Sequence, residues 1–318
     1  MKFFIKIQKK KVCIKMVNLF EKLKYILFLK FFNNKKKLLW TLVNNSLTNL
    51  ISAPTISVLH QSIDTNLGKK GEKIFVTNDS YQTWYIMNDK NFHQNLIDNL
   101  KNIVNKKNNY NFIDVGANTG LLTKSILNNF DNIKHSYLIE PDKDNFFCAQ
   151  NNLKKYKNVK IYNFALDIKD GEKKLFIDRN NKGNLSFNFE MMKLKQDKLS
   201  FMNSDNNFEI VNCKRIDSFF ENINNDLKNI IKIDVQGYDE IIFQEIPINT
   251  LIKTDIIIME ITPLNSKKFN QEKFISKLEY FDKFTDFENR KFTKEDITKF
   301  TKITSGNSID IIMYKGNE

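Results

Sequence analysis

Residues Asn111–Phe130 read NFIDVGANTGLLTKSILNNF, and this stretch decides the fold. Its first part, FIDV at 112–115, is an apolar run that is too short for a helix and typical of a buried parallel strand. After a glycine loop, apolar side chains recur at the spacing of one helix face, at Leu122, Ile126 and Phe130. The stretch therefore predicts a strand, a loop and an amphipathic helix.

The loop is GANTG at 116–120, and Asp114 stands two residues ahead of its first glycine. Glycine lets a backbone approach a ligand closely and adopt positive φ at little cost. A strand, a glycine loop and a helix indicate a nucleotide-type cofactor at the carboxyl edge of a sheet, although such loops also join ordinary strands and helices. The spacing differs from the dinucleotide pattern G-x-G-x-x-G, and a carboxylate suits a cationic cofactor better than a pyrophosphate. These features favour S-adenosylmethionine.

A second acidic residue supports this interpretation. The run HSYLIE at 135–140 ends in Glu140, which lies 20 residues beyond Gly120. An acid closing the second strand binds the ribose hydroxyls of a cofactor at this spacing. The alternative is a carboxylate that caps the helix predicted after Pro141.

Length and composition allow one large domain in a reducing compartment. At 318 residues the chain is long enough for one α/β domain of about 200–250 residues with additional segments. The three cysteines are scattered without a C-x-x-C pair, which argues against a disulfide framework or a cysteine zinc site. The sequence indicates no metal ligands and a cytoplasmic location.

The net charge of +13 is concentrated near the N-terminus. Residues 1–40 contain 12 lysines and one acid, Glu21, so they carry +11 and leave only about +2 for the remaining chain. This distribution disfavours a nucleic-acid partner, because enzymes that bind nucleic acids more often spread basic residues around the catalytic face. We predict a basic, partly helical extension at 1–72 and a catalytic domain at 73–318.

Residues 12–32 can form a helix in which lysines interrupt the apolar side chains. One interpretation is a basic amphipathic helix that makes peripheral contact with an anionic membrane, at its inner surface. The other is a helix packed on the domain with its lysines solvated. The longest apolar run, Tyr25–Phe32, has eight residues and is too short for a bilayer, which needs about 20.

From residue 111 onward, strand and helix patterns alternate, which indicates a parallel sheet with helices on both faces. Further strands of this sheet are predicted at 159–164, 229–234, 254–260, 284–287 and 308–314. An inserted antiparallel patch interrupts the alternation, with strands predicted at 173–178, 185–189 and 208–216. Upstream, the sequence predicts a connecting stretch at 41–72, strands at 74–77 and 83–87, and a helix at 91–104.

Six motifs follow one another in this framework: FIDVGANTG (112–120), IEPD (139–142), FALD with a later DG (164–171), RID (215–217), KIDVQG (232–237) and MEIT (259–262). Together they resemble the FkbM family of class I, S-adenosylmethionine-dependent methyltransferases, over about residues 75–316. The chain has Gly-Tyr-Asp at 237–239 where family members often have Gly-x-Glu.

The resemblance implies an α/β, Rossmann-like class I methyltransferase fold with a seven-stranded, mostly parallel sheet whose last strand is antiparallel. It implies S-adenosylmethionine as the cofactor and methyl transfer to a hydroxyl, either of a sugar in a glycan or of a secondary metabolite. By position, the methionine part would be held by Asp114, Gly116, Ala117, Asn118 and Gly120. The ribose and adenine would be contacted by Glu140, Asp142, Phe164 and Ala165.

The resemblance also directs Asp234 towards the methyl group. A sugar hydroxyl is a poor nucleophile, so a base within hydrogen-bond reach accelerates transfer, typically by about 10²–10⁴-fold. Asp234 is the first candidate, although it could equally position the cofactor or the loop. Weaker candidates are Glu260, Asp239 and His135, whereas His60 and His93 are interpreted as structural.

Other function classes fit the motifs less well. A nicotinamide oxidoreductase would need G-x-G-x-x-G and partners such as Tyr-x-x-x-Lys. A base- or amide-directed methyltransferase usually carries a motif such as N-P-P-Y after the fourth strand, where this chain has DVQG at 234–237. RNA methylation therefore rests only on the basic N-terminus. A non-catalytic binding module is disfavoured by the intact acids and glycines.

Overall fold

The computed structural model describes residues 56–61, 64–77, 93–176, 185–187, 208–223, 226–262, 268–302 and 308–316. The predicted basic helix at 12–32 and the strand at 83–87 lie outside these residues. Within the described ranges, no helix has the length and apolar character required to cross a lipid bilayer.

The strands in these ranges are β1 (Ile56–His60), β2 (Lys73–Thr77), β3 (Tyr110–Val115), β4 (Ile133–Ile139), β5 (Val159–Tyr162), β6 (Ala165–Asp167), β7 (Gly171–Phe176), β8 (Phe208–Arg215), β9 (Lys228–Ile233), β10 (Thr254–Ile261), β11 (Lys283–Thr285), β12 (Lys291–Phe292) and β13 (Ile309–Tyr314). The helices are α1 (Gln94–Ile103), α2 (Leu121–Asn129), α3 (Lys143–Leu153), α4 (Ile216–Glu221), α5 (Asp239–Glu245), α6 (Ile248–Ile252), α7 (Gln271–Leu278) and α8 (Lys294–Lys302).

The central sheet has the order β12-β11-β13-β10-β9-β3-β4-β5. Strands β5, β4, β3, β9 and β10 pair in parallel, and β13 pairs antiparallel with β10. The predicted mostly parallel, Rossmann-like sheet with an antiparallel last strand is therefore confirmed. It has one strand more than the seven expected, because a turn held by Asp286 brings the two-residue β12 back alongside β11.

The central sheet carries a hydrophobic core on each face. Successive side chains of a strand point to opposite faces, so neighbouring residues of β3 enter different cores. Phe112 packs with Leu96 of α1 and Ile126 of α2, whereas Ile113 belongs to the cluster that contains Ile241 of α5. Because both faces are covered, every residue of β3 is buried, as its continuous apolar pattern predicted.

The inserted patch is a separate sheet with the order β6-β8-β7. Strands β7 and β8 pair antiparallel as predicted, but β6 pairs in parallel with β8, so the sheet is mixed. Of the strand predicted at 185–189, the described part contributes one bridge, between Ser186 and Phe176.

The connecting stretch predicted at 41–72 contains strand β1, which was not predicted from the sequence. It pairs antiparallel with β2 along its whole length. Leu59 and Leu67 from this region pack with Leu121 at the start of α2. Residues from 56 onward therefore pack against the domain that was predicted to begin at residue 73.

Candidate functional site

A cleft of about 230 Å³ opens at the carboxyl ends of the parallel strands. This is where open α/β sheets bind their ligands. Six residues predicted from the sequence line it: Gly116, Ala117, Asn118, Glu140, Ala165 and Asp234. Four others do not line it: Asp114, Gly120, Asp142 and Phe164.

The glycine loop is held tightly between β4 and β9. Gly116 has φ +79°, and a Cβ there would lie 2.0 Å from the carbonyl oxygen of Asp234. The amides of Gly116 and Ala117 both donate to the carbonyl of Ile139, at 3.0 Å. No residue other than glycine fits this position, because a side chain would collide with the β9 turn.

Glu140 joins this loop to the start of α3. It is 3% exposed, and its Oε2 accepts from the amide of Asn118 at 2.8 Å while Oε1 accepts from the amide of Asp142 at 2.9 Å. Burial, together with the charge of Asp142, raises the pKa of Glu140 to about 8, while the two amides act in the opposite direction. The carboxylate is thus fixed at the wall of the cleft.

Asp142 has a structural task. Its Oδ1 accepts from the amides of Asp144 and Asn145, at 3.0 and 2.8 Å, which caps the N-terminus of α3. The capping role considered for Glu140 therefore belongs to Asp142.

A buried lysine organises the acids near the loop. The ammonium of Lys232 lies 3.2 Å from Asp114 and 3.5 Å from Asp234, and it donates to the carbonyl of Gly116 at 2.8 Å. Burial lowers the pKa of Lys232, but the charges of Asp114 and Asp234 outweigh burial and hold it above its ordinary value. Asp114 is fully buried and also accepts from Thr123 at 2.7 Å. Asp114 therefore supports the loop from behind, and its predicted contact with the cofactor stays a prediction.

Asp234 stands at the end of β9 with its side chain 47% exposed. Its Oδ1 accepts from Nε2 of Gln236 at 2.6 Å. The following turn is held by Asp239, which accepts from the amides of Val235 and Gly237, at 3.2 and 3.1 Å. Asp239 is fully buried in this role and does not line the cleft, so it is a poor candidate for a base.

The remaining sequence candidates divide between the cleft and distant parts of the sheet. Glu260 lines the cleft, whereas His135 is paired with Asn111 at the opposite end of β3. Phe164 packs between the rings of Tyr162 and Phe219, with centroid distances of 5.4 and 6.0 Å. The next residue, Ala165, reaches the cleft wall in its place.

More than half of the chain matches one protein family. The model of the methyltransferase FkbM domain matches residues 114–292, more than half of the chain. The chain belongs to the FkbM methyltransferase family. No curated protein sequence matches it.

Solved structures similar to this FkbM methyltransferase share little sequence identity with it. One is a precorrin-6y C5,15-methyltransferase from Geobacter metallireducens GS-15, with 11% identity, a TM-score of 0.32, and coverage of 72% of this chain and 89% of that chain. Another is an S-adenosylmethionine-dependent methyltransferase from Clostridium acetobutylicum ATCC 824, with 10% identity and a TM-score of 0.35. The match covers 74% of this chain and 98% of that chain.

Several residues of the FkbM cleft were not assigned to it from the sequence. Lys232 was detectable, since a lysine inside an apolar strand needs a buried partner. Phe187 and Tyr238 line the cleft as an edge-to-face pair with ring centroids 5.7 Å apart. His93, interpreted as structural, also lines the cleft. The positions of Phe187, Tyr238 and His93 in the cleft depend on contacts between distant segments, so no local pattern could reveal them.

Proposed function

We propose that this FkbM methyltransferase binds S-adenosylmethionine in the cleft and transfers its methyl group to a hydroxyl of a saccharide or secondary metabolite. The observation that carries the proposal is the position of the Glu140 carboxylate beside the 116–118 backbone in a cleft at the carboxyl ends of the strands. A carboxylate there suits a ribose diol, because each hydroxyl can donate a hydrogen bond to it.

The cleft wall around Glu140 suits a flat, partly apolar cofactor. Ile139, Ala165 and Leu166 supply apolar wall next to Glu140. All the loop amides from Gly116 to Gly120 already have acceptors inside the protein. A pyrophosphate would find no free amide in this loop, which supports S-adenosylmethionine over a dinucleotide.

The cleft also suits a neutral acceptor. Asp234, Glu260 and Asp310 line it, together with the rings of Phe187 and Tyr238. Carboxylates accept hydrogen bonds from hydroxyls and repel phosphate groups. Aromatic rings can pack against the apolar face of a sugar. This composition favours a hydroxyl compound over a nucleic acid.

When bound, S-adenosylmethionine supplies an electrophilic methyl group on a sulfonium. The residues of the cleft accelerate methyl transfer chiefly by aligning the acceptor oxygen with that methyl group and by excluding water. Asp234 lines the cleft, where its negative charge can orient polar groups of the acceptor.

A transfer assay with S-adenosylmethionine carrying a labelled methyl group tests this function. The acceptors are a panel of methyl glycosides and neutral oligosaccharides, with total RNA as the comparison. We expect the label in saccharides, in a product that resists mild alkali as a methyl ether does. Label in RNA and none in saccharides would contradict the proposed acceptor.

A further inference from the structure

We propose that His93 is the general base that accepts the proton of the acceptor hydroxyl, and that Asp234 stabilises the imidazolium that forms. The inference rests on the proposed methyl transfer and adds a catalytic residue to it. Asp234, the first candidate for the base from the sequence, then acts through His93 and does not receive the proton itself.

The backbone of His93 is the first observation. This residue is the N-cap of α1 and has φ 55° and ψ 26°, a left-handed conformation. Few residues with a Cβ adopt this conformation, and histidine is one of the three, with asparagine and aspartate, that are enriched in it. In this conformation His93 lines the cleft, so a proton acceptor stands at the ligand site.

The charges around the imidazole are the second observation. The titratable groups that line the cleft with it are Glu140, Lys232, Asp234, Tyr238, Glu260 and Asp310. Burial and the nearby ammonium of Lys232 lower the pKa of His93 to about 4, while Asp234 acts in the opposite direction. The imidazole is therefore neutral near pH 7, in the form that can accept a proton.

Asp234 has contacts that suit a fixed negative charge beside His93. The ammonium of Lys232 lies 3.5 Å from its carboxylate, and Nε2 of Gln236 donates to it at 2.6 Å. Both contacts stabilise negative charge on the carboxylate. The same negative charge favours an imidazolium nearby.

The proposed step balances in atoms and charge. The acceptor oxygen forms a bond to the methyl carbon while the methyl–sulfur bond breaks, and its electron pair stays on sulfur as a thioether. The hydroxyl proton moves to the imidazole nitrogen of His93. One positive charge thus disappears at sulfur and one appears at the imidazole, so the net charge of the enclosed site does not change.

The test uses His93→Asn in the full chain, with His135→Asn as the matched control. Asparagine tolerates the left-handed backbone and is a good N-cap, but it has no basic nitrogen. The donor affinity is measured by calorimetry with S-adenosylmethionine, and the rate is measured with a methyl glycoside that the wild type methylates. We expect His93→Asn to keep its melting temperature and donor affinity and to lose about 100-fold or more in kcat. His135→Asn should match the wild type.

A rescue experiment separates proton transfer from positioning. His93→Gly fits the same backbone and leaves space for a free imidazole. Added imidazole should therefore restore part of the rate of His93→Gly. It should not raise the rate of Asp234→Asn. In a measurement without acceptor, S-adenosylhomocysteine should shift the ring-nitrogen NMR signals of His93 and leave those of His135 unchanged.

A His93→Asn rate within about threefold of the wild type would overturn the inference, as would unshifted His93 signals. In either case methyl transfer by the wild type would leave the proposed function standing. Failure of the wild type to bind S-adenosylmethionine would instead overturn the proposed function itself.

Discussion

Glu140 shows how one side chain in this cleft serves both the fold and the proposed chemistry. Its two oxygens hold the amides of Asn118 and Asp142, so the glycine loop and the start of α3 keep their relative positions. Each oxygen retains a further lone pair that could accept a hydrogen bond from a ligand. A substitution at this residue should therefore affect both stability and cofactor affinity.

We expect Glu140→Gln to weaken S-adenosylmethionine binding roughly tenfold to a hundredfold, because a hydrogen bond to a charged group contributes about 1.5–3 kcal/mol. Ribose hydroxyls favour the ionised carboxylate, and the pKa of Glu140 is raised to about 8. Wild-type affinity should therefore rise as pH increases towards 8 and level off above it. Calorimetric titrations across this range should show a much flatter dependence for Glu140→Gln.

Asp142→Asn is the matched control for that variant. Asparagine caps helices about as well as aspartate, and Asp142 does not line the cleft. Its affinity for S-adenosylmethionine should remain within about threefold of the wild-type value. A loss of affinity as large as that of Glu140→Gln would show that Asp142 belongs to the binding site.

Gly116 provides a second prediction at the residue scale. In Gly116→Ala the new Cβ would meet the carbonyl oxygen of Asp234 at 2.0 Å, on a backbone with φ +79°. We expect a loss of about 3 kcal/mol or more in the free energy of unfolding, measured with urea. Gly71 has φ +88°, and a Cβ added there would have no atom within 4 Å, so Gly71→Ala should lose only about 1–2 kcal/mol. Equal losses would show that the contact with Asp234 is unimportant.

At the scale of elements, a charged cluster ties the inserted sheet to the central domain. Asp167 at the end of β6 accepts hydrogen bonds from Tyr238 and Lys173, and Lys268 lies 3.7 Å from it. Burial acts to raise the pKa of Asp167, but the hydrogen bonds from Lys173 and Tyr238 outweigh it and hold the pKa below its ordinary value. The carboxylate therefore joins β6, β7 and the turn before α5.

Asp167→Asn should lower the free energy of unfolding by about 2–3 kcal/mol at neutral pH, because two lysines would then lie close together without a counter-charge. A lowered pKa contributes stability above the ordinary value of 3.8, and this contribution is lost as pH falls below it. The difference between wild type and variant should therefore shrink in urea titrations at low pH. A difference that does not depend on pH would argue against the ionised carboxylate as its cause.

The buried parallel strands were predictable because short, continuous apolar runs between turn residues are typical of strands covered on both faces. Strands β3, β9 and β10 lie where the sequence predicted them, to within a few residues. Strands β1, β6 and β12 were not predicted, since short strands depend on their partners more than on their own residues. Part of the cleft wall, formed by residues 116–118 and Glu140, was predictable because these residues belong to local motifs. The roles of Lys232 and His93 depend on contacts across the sheet, which no local pattern contains.

At the scale of the whole molecule, charge separates the N-terminal segment from the catalytic domain. Residues 1–40 lie outside the described residues, and they carry +11 of the total +13. We propose that they hold the enzyme on an anionic membrane surface. Each lysine near such a surface contributes about 1 kcal/mol to the free energy of membrane binding. Salt screens this attraction.

Flotation with vesicles that contain phosphatidylserine tests this proposal on the full chain. Replacement of Lys9, Lys10 and Lys11 by glutamine should reduce the floated fraction at low salt, and high salt should release the wild type. A matched variant with Lys291, Lys294 and Lys302 replaced should float like the wild type. Equal flotation of all three proteins would contradict a membrane role for the basic segment.

The central claim is that the cleft holds S-adenosylmethionine, and parallel calorimetric titrations of the full chain with S-adenosylmethionine and NADH test it most directly. The loop amides have acceptors within the protein and Glu140 faces the cleft, so only the first ligand should bind. We predict saturable binding of S-adenosylmethionine that Glu140→Gln weakens, and no heat with NADH. Tight binding of NADH without binding of S-adenosylmethionine would contradict the account.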